Sequence, residues 1–329
     1  MRALVCEAFG PVENLKVREW QLPALKPHEV RLEVHAAGVN FPDGLMVQGK
    51  YQVKPELPFV AGGECAGIIR EVGDAVKGFR VGDRVIAMPG LAAFAEAVNV
   101  DHKLLMPMPE QLDFAQAAGF CITYATSYYA FKQRAQLKPG ETLVVLGAAG
   151  GVGVTAIQLG KLMGARVIAC ASSDEKLAFC RDLGADETIN YSSEDLKERI
   201  RALTDGKGAD VIYDPVGGAF TEQAYRSIAW GGRYLVIGFA AGDIPSLPLN
   251  LPLLKAGDIL GIYWGGWASR DPKGNMQNFA ELLGYVNEGR LQPLTTAVYP
   301  LEDFSQAFAA INARKALGKV VLTMGEAAT

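Results

Sequence analysis

The hydrophobic pattern changes character twice along the chain. Over roughly the first 120 residues apolar and polar positions alternate, most cleanly in Val30-x-Leu32-x-Val34-x-Ala36. That period of two predicts strands buried on one face. Glycine and proline punctuate this part roughly every 8–12 residues, the spacing of an antiparallel barrel or sandwich. The segment Ala66–Ala87 reads as strand, turn, strand, with Gly73-Asp74 and Gly82-Asp83 as its turn residues. Near Phe114 the spacing becomes helical, and Ala115–Gln133 is predicted as one helix or a helix pair, closed by Lys138-Pro139-Gly140. From Thr142 short apolar runs alternate with helical stretches. Strands are expected at Thr142–Leu146, Arg166–Ala171, Thr188–Tyr191, Val211–Tyr213, Tyr234–Gly238 and Ile259–Tyr263. Helices are expected over 175–183, ending at Gly184, over 194–204, capped by Ser192 or Ser193, and over 220–230, ending at Gly231-Gly232. About six strands in this alternation is the doubly wound count. Helices at Asn275–Gly289 and Glu302–Arg314 and strands at Leu291–Tyr299 and Lys319–Met324 no longer fit that order. They are expected to return to the first domain and make it discontinuous.

The link between the first two strands of the alternating part carries the chemistry. Leu143–Leu146 runs into Gly147-Ala148-Ala149-Gly150-Gly151-Val152-Gly153, an apolar helical stretch, and then Arg166–Ala171. Strand, glycine-rich turn, helix and strand in this order place a dinucleotide pyrophosphate on a helix N-terminus. A turn this tight needs positive φ, which glycine adopts cheaply. Gly150 or Gly151 lets the phosphate approach the backbone, and Gly153 lets the helix pack close to the strand. Ala148 stands where the strict fingerprint has its first glycine. The uncharged run Thr142–Gly160 is long enough for a membrane span, but its central glycines and the flanking Lys161 and Arg166 argue against one.

Cofactor type is read at the end of the second strand. NAD sites usually carry an acid there for the ribose 2′-hydroxyl. This chain has Ala171-Ser172-Ser173, then Asp174, Glu175 and Lys176. Two small hydroxyl residues leave room for a 2′-phosphate, and Lys176 one turn on can neutralise it, which favours NADPH. Asp174 keeps NAD open, and Ser173 can also simply cap the following helix. Ligands of such sheets lie at the C-terminal strand ends, so the loops after Leu146, Tyr213, Ile237 and Ile262 are candidate walls.

Composition narrows the class. The chain has 329 residues, 50% of them hydrophobic, which suits about two domains with a large core. Net charge is −4 without long like-charge runs, so no electrostatic grip on nucleic acid or an anionic membrane is expected. Cys6, Cys65, Cys121, Cys170 and Cys180 are scattered, and the opening MRALVCEAFG has no signal-peptide core. Reduced thiols and a cytoplasmic location are the expectation. With His28, His35 and His102 as the only histidines, no clustered metal-ligand set is seen, and no metal is expected. His28 reads as a solvated turn residue, His35 as structural, and Cys65 and Cys121 as small core residues.

The motifs Gly38-Val39-Asn40-Phe41-Pro42-Asp43, Gly62-Gly63-Glu64 with Gly67 and Glu71-Val72-Gly73, Val81-Gly82-Asp83-Arg84-Val85 and the Gly147–Gly153 turn complete the picture. Together they resemble the medium-chain dehydrogenase/reductase superfamily over nearly the whole chain, and within it the zinc-free quinone oxidoreductase branch, the relatives of zeta-crystallin. The resemblance implies an α/β protein: a GroES-like β-rich domain over 1–122 completed by 265–329, and a Rossmann domain with a doubly wound parallel sheet over 123–264. Zinc alcohol dehydrogenases have a ligand cysteine where this chain has Asn40 and a ligand histidine where it has Gly63. Without that Lewis acid, alcohol oxidation gives way to reduction of an electron-poor acceptor.

Further roles follow from the resemblance, position by position. Asn40 and Asp43 match residues on the substrate side of the cleft, and Thr126 one near the nicotinamide. Gly150, Gly151, Val152 and Gly153 form the phosphate turn. Ser172, Ser173, Lys176 and Tyr191 match the NADPH phosphate pocket. Phe239 and Ile262 or Tyr263 flank nicotinamide and its ribose, Val216 is a further cofactor-binding residue, and Asn312 and Arg314 approach the cofactor. Tyr51 sits in a segment similar to that of 2-enoyl thioester reductases, where a tyrosine can donate a proton; packing in a loop is the other reading. A phenol of pKa near 10 can protonate an enolate or hydrogen-bond a carbonyl. The aromatic run Tyr263–Trp267 is either an acceptor wall or a core or interface patch. The expected activity is NADPH-dependent hydride transfer to a quinone or other α,β-unsaturated carbonyl. The alternatives are a 2-enoyl-CoA (acryloyl-type) reductase, with Lys50 and Lys54 as candidate basic contacts, and a non-catalytic NADPH-binding protein. A homodimer through Rossmann edge strands is expected by analogy.

Overall fold

The computed structural model describes residues 1–314 and 316–325. It divides into two compact units: Met1–Ile122 with the chain from Gln292 on, and Thr123–Leu291.

In chain order, the first unit begins with β1 (Arg2–Cys6), β2 (Lys16–Glu19), β3 (Glu29–Val39), α1 (Phe41–Val47), β4 (Phe59–Val60), β5 (Glu64–Val72), β6 (Arg84–Ala87), β7 (Ala97–Asp101), β8 (Leu105–Pro107) and α2 (Phe114–Ala118). Then follow α3 (Cys121–Tyr129), β9 (Thr142–Leu146), α4 (Gly151–Leu162), β10 (Arg166–Ala171), α5 (Asp174–Asp182), β11 (Glu187–Asn190), α6 (Leu196–Leu203), β12 (Ala209–Asp214), α7 (Phe220–Arg226), β13 (Ile228–Val236), α8 (Asn250–Lys255), β14 (Asp258–Gly261), α9 (Trp264–Arg270) and α10 (Pro272–Asn287). The chain closes with β15 (Thr295–Pro300), α11 (Phe304–Asn312) and β16 (Lys319–Thr323).

The alternation read around Val30 is the inward face of β3, with Val30, Leu32, Val34 and Ala36 buried. β3 is the spine of a seven-stranded sheet ordered β15-β16-β3-β5-β6-β8, with β7 also on β3, and β16 returns antiparallel to it. A smaller sheet, β2-β1-β4, completes the first unit. The second unit is built on one parallel sheet ordered β11-β10-β9-β12-β13-β14. Numbered from β9, that is the doubly wound order 3-2-1-4-5-6. Val144, Leu146, Ile168, Ile212 and Tyr234 fill one side of it.

Some expectations shift. Ser192 and Ser193 do not cap α6; Asp195 does, accepting from the Glu198 amide at 2.8 Å. The helix expected over 220–230 stops at Arg226, because Ile228 already pairs with Ala209 as the start of β13. Residues 265–291, assigned above to the returning part, belong to the second unit. Trp267 stacks on Tyr129 at 4.7 Å, and Asn278 and Glu281 bond Lys132 of the helical segment after α3. The aromatic run is thus divided: Trp264 and Trp267 pack within the unit and Tyr263 is half exposed. Residues 315 and 326–329, also assigned to that return, lie outside the described residues.

Candidate functional site

The dinucleotide turn lies where β9 meets α4. Gly147 sits at φ +57°, and a Cβ there would meet Val216 Cγ2 at 2.8 Å. The Gly150 amide donates to the Gly147 carbonyl at 3.0 Å and closes the turn. Gly150 is then the N-cap of α4, extended at φ −81°. A Cβ at Gly153 would lie 2.4 Å from the Gly147 oxygen and 2.6 Å from that of Ala148, so only glycine lets the helix settle on the turn. At Gly150 the nearest atom to a Cβ is 3.4 Å away. The protein leaves this position open, and the first-turn amides of Gly151, Val152 and Gly153 have no intrahelical acceptor to use. The residues present fit a pyrophosphate.

The end of β10 is polar. Lys176 Nζ donates to Ser172 Oγ at 3.1 Å, and Ser173 Oγ caps α5 by accepting from the Lys176 amide at 3.4 Å. Asp174 does not face them alone: its carboxylate accepts from Asn190 Nδ2 at 2.8 Å. Tyr191, just past the neighbouring strand, donates its amide to the Ala171 carbonyl at 3.1 Å, and its ring lies 4.5 Å from that of Phe220. The structure brings Ser172, Ser173, Lys176 and Tyr191 to one edge of the sheet. Val216, Phe239 and Ile262 follow the C-terminal ends of β12, β13 and β14 on the same edge. Thr126 is half-buried on α3. Its neighbour Ser127 is buried in a hydroxyl chain, 2.8 Å from both Tyr213 Oη and Thr155 Oγ1. Burial raises the Tyr213 phenol above its ordinary pKa.

In the first unit, Asn40 and Asp43 are part of a buried ionic knot. Asn40 is 6% exposed, Lys319 5% and Glu64 0%. The ammonium of Lys319 donates to the Val39 carbonyl (3.1 Å), Asn40 Oδ1 (2.6 Å) and Glu64 Oε1 (2.7 Å), using its three protons. Asn40 Nδ2 donates to Glu64 Oε1 (2.9 Å) and the Gly38 carbonyl (3.2 Å), and Glu64 Oε2 accepts from the Ile122 amide at 2.8 Å. Asp43 Oδ2 accepts from the Asn40 amide at 2.7 Å. Burial is the largest influence on Asp43 and pushes its carboxyl up to about 7, against the Asn40 hydrogen bond and Lys319, which pull it down. A Cβ at Gly63 would be 3.9 Å from Asp43 Oδ1, so this carboxyl oxygen borders the space above a glycine.

Glu64 and Lys319 carry no local sequence signature of this knot. In the sequence Glu64 is part of a glycine motif and Lys319 the start of a strand. A lysine opening the otherwise apolar run Lys319-Val-Val-Leu-Thr was the available signal. Tyr51 is half-buried in the turn after α1, and Asn312 and Arg314 are exposed at the end of α11, all in the first unit. His35 stacks on Phe114 at 4.2 Å with Arg84 on the same ring, a packing arrangement. Cys65 and Cys121 are fully buried. Among the described residues no three His, Cys, Asp or Glu side chains gather as a metal-binding group, and no helix is long and apolar enough to cross a membrane.

Comparison with known proteins agrees with this geometry. Residues 26–110 match the alcohol dehydrogenase GroES-like domain and residues 151–282 the zinc-binding dehydrogenase family. Quinone oxidoreductase-like protein 2 of Bos taurus is 40% identical over 98% of this chain and 92% of its own. The crystal structure of Escherichia coli quinone oxidoreductase complexed with NADPH superposes with a TM-score of 0.92 at 28% identity, covering 98% of this chain and 100% of that one. CurK enoyl reductase superposes with a TM-score of 0.90 at 28% identity, covering 98% and 99%. The fold order, the glycine turn and these matches make the chain an oxidoreductase of the medium-chain dehydrogenase/reductase superfamily, in its quinone oxidoreductase-like branch.

Proposed function

We propose that this enzyme takes NADPH and reduces a conjugated electrophile, a quinone or another α,β-unsaturated carbonyl. One observation carries the choice of cofactor: Lys176 Nζ is held on Ser172 Oγ at 3.1 Å beyond β10, while Asp174 is occupied by Asn190. A 2′-phosphate there meets a cation and hydroxyls, and Asp174 Oδ1 is turned to Asn190. Bound reduced nicotinamide supplies the hydride. The chain's own residues do the holding: amides of Gly150–Gly153 for the pyrophosphate, and Val216, Phe239, Ile262 and Thr126 around the ring and its ribose. In the first unit the side-chain carboxamide of Asn40 is committed to Lys319, Glu64 and Gly38, while its backbone N–H donates to Asp43, so its part is to position that carboxyl. Asp43 and Tyr51 are the groups able to hold or deliver a proton as the acceptor becomes an enolate or phenolate.

The test is steady-state NADPH and NADH oxidation across benzoquinone, simple enones and acryloyl-CoA, with Lys176→Ala beside the wild type. The substitution should raise KM for NADPH about tenfold, near the worth of one charge-assisted contact, and leave NADH nearly unchanged. Equal losses with both cofactors would remove the phosphate assignment. A second reading, a 2-enoyl thioester reductase, is favoured by the CurK enoyl reductase match and by Tyr51; turnover with acryloyl-CoA exceeding that with every quinone selects it. We also infer a homodimer. β14 is an edge strand, and Ile244, Leu249, Leu253 and Leu254 in the chain leading to it are mostly exposed. Such an edge invites a second copy. Sedimentation of Leu253→Asp as a monomer would support this, and a monomeric wild type would end it.

A further inference from the structure

The loop leaving β12, Pro215–Ala219, touches both the phosphate turn and the segment that carries Phe239, and a single buried carboxylate fixes it. Asp214 is 2% exposed. Its Oδ1 accepts from two successive amides, Val216 (2.7 Å) and Gly217 (2.9 Å). Its Oδ2 accepts from Thr221 Oγ1 at 3.3 Å and, through a short contact, from the Tyr234 hydroxyl. Both donors are themselves buried. The negative charge is thus matched entirely by aimed donors, the condition under which a buried ion is tolerable.

What the carboxylate holds is the junction of the site. Val216 is pressed against the phosphate turn, since a Cβ on Gly147 would touch it at 2.8 Å. Gly217, at φ +68°, is so close to Phe239 that a Cβ would meet its ring at 2.9 Å. The Pro215 and Val216 carbonyls accept from the Ala240 and Ala241 amides at 3.0 and 2.8 Å, tying this loop to the one that carries Phe239. One residue beyond the loop, Phe220 opens α7 and packs on Tyr191. Phosphate turn and nicotinamide flank therefore rest on this loop, and the 2′-phosphate edge meets the helix that follows it through Tyr191 and Phe220.

We infer that Asp214, with Tyr234 and Thr221, is the positioning residue of the cofactor site. It aligns both halves of the dinucleotide from beneath without touching either. This inference rests on the dinucleotide reading above and adds a shared origin for the affinity of the two halves.

The experiment titrates wild type, Asp214→Ala and Asp214→Asn with NADPH, with 2′,5′-ADP and with reduced nicotinamide mononucleotide, well below each melting temperature. Asp214→Ala should weaken all three at least tenfold. Asp214→Asn keeps an oxygen for the two amides and should stay within threefold of wild type, a rescue that loss of general stability does not produce. Should Asp214→Ala fail to fold, the Tyr234→Phe/Thr221→Val double variant removes both donors to Oδ2 at nearly constant volume. It should weaken all three ligands at least threefold and speed hydrogen exchange at the Val216 and Gly217 amides. Wild-type affinity in the variants, or a loss confined to one fragment, overturns the inference while leaving the dinucleotide reading intact. A wild type that binds none of the three overturns both.

Discussion

The two candidate regions are built on opposite principles. The turn between β9 and α4 works through missing side chains: Gly147 supplies a left-handed φ, Gly153 a close approach, and Gly150 an open face. The knot around Asn40 works through side chains that are all present and mutually consumed. Lys319, Asn40 and Glu64 saturate one another in a buried place, and what remains available is the carboxyl of Asp43. The first region is ready for a ligand's charge. The second has balanced its own charge and offers a single proton-bearing group.

The difference has its largest consequence at Lys319. Removing one member of a buried ion pair leaves the other uncompensated, which costs roughly 3–5 kcal/mol. Lys319→Met should lower the denaturant-derived unfolding free energy by about that amount, and Lys319→Met/Glu64→Gln should recover part of it, about 1 kcal/mol or more, because no lone charge remains. If the single variant unfolds like wild type, the knot is not a structural element. Next in size is Gly153→Ala. In a helix interior this exchange ordinarily gains up to about 1 kcal/mol. Here the new methyl meets two backbone oxygens at 2.4 and 2.6 Å, which cannot rotate away. Overpacking of about 1–3 kcal/mol should win, visible as a lowered melting temperature; a more stable variant would refute the close-approach argument.

These two residues also show what was legible in the sequence. Glycines act locally, within a few residues of a strand and a helix whose hydrophobic periods announce them, so the turn and the alternation of a doubly wound domain are legible directly. The contact Lys319–Glu64 spans 255 residues. It exists only because β16 pairs with β3 and β3 with β5, and no local pattern encodes that. Asn40 and Asp43 stand out through the motif that carries them, but that motif does not say that Asn40 is spent inside the protein. The end of α7 was misplaced for a similar reason: pairing with β12 claims Ile228, overriding the helical spacing around it.

A smaller effect separates Asp43 from the charges beside it. Burial raises this acid from its ordinary 3.8 to about 7. A carboxyl with a raised native pKa holds its proton more tightly when folded. Its contribution is therefore fully present below about pH 4 and is lost as pH climbs to about 7, the reverse of a salt-bridged acid. Between pH 5 and 7 wild-type stability should fall faster than that of Asp43→Asn, by at most about 1.4 kcal/mol per pH unit, the limit for one proton. Unfolding curves that stay parallel across that range would show that Asp43 is ionised in the folded protein.

The finest distinction lies within the turn itself. Gly150→Ala adds the same methyl as Gly153→Ala three positions earlier, yet φ there is −81° and the nearest atom is 3.4 Å away. The folded protein has no reason to object, and loss of glycine's freedom in the unfolded chain should add about 0.4–1 kcal/mol of stability. On the proposed reading the methyl enters the space of the dinucleotide phosphate, and NADPH affinity should drop about tenfold, or about 1.4 kcal/mol. Melting temperature and NADPH titration must therefore move in opposite directions. Unchanged affinity in a stable Gly150→Ala protein would mean that the open face of the turn is not where the dinucleotide lies.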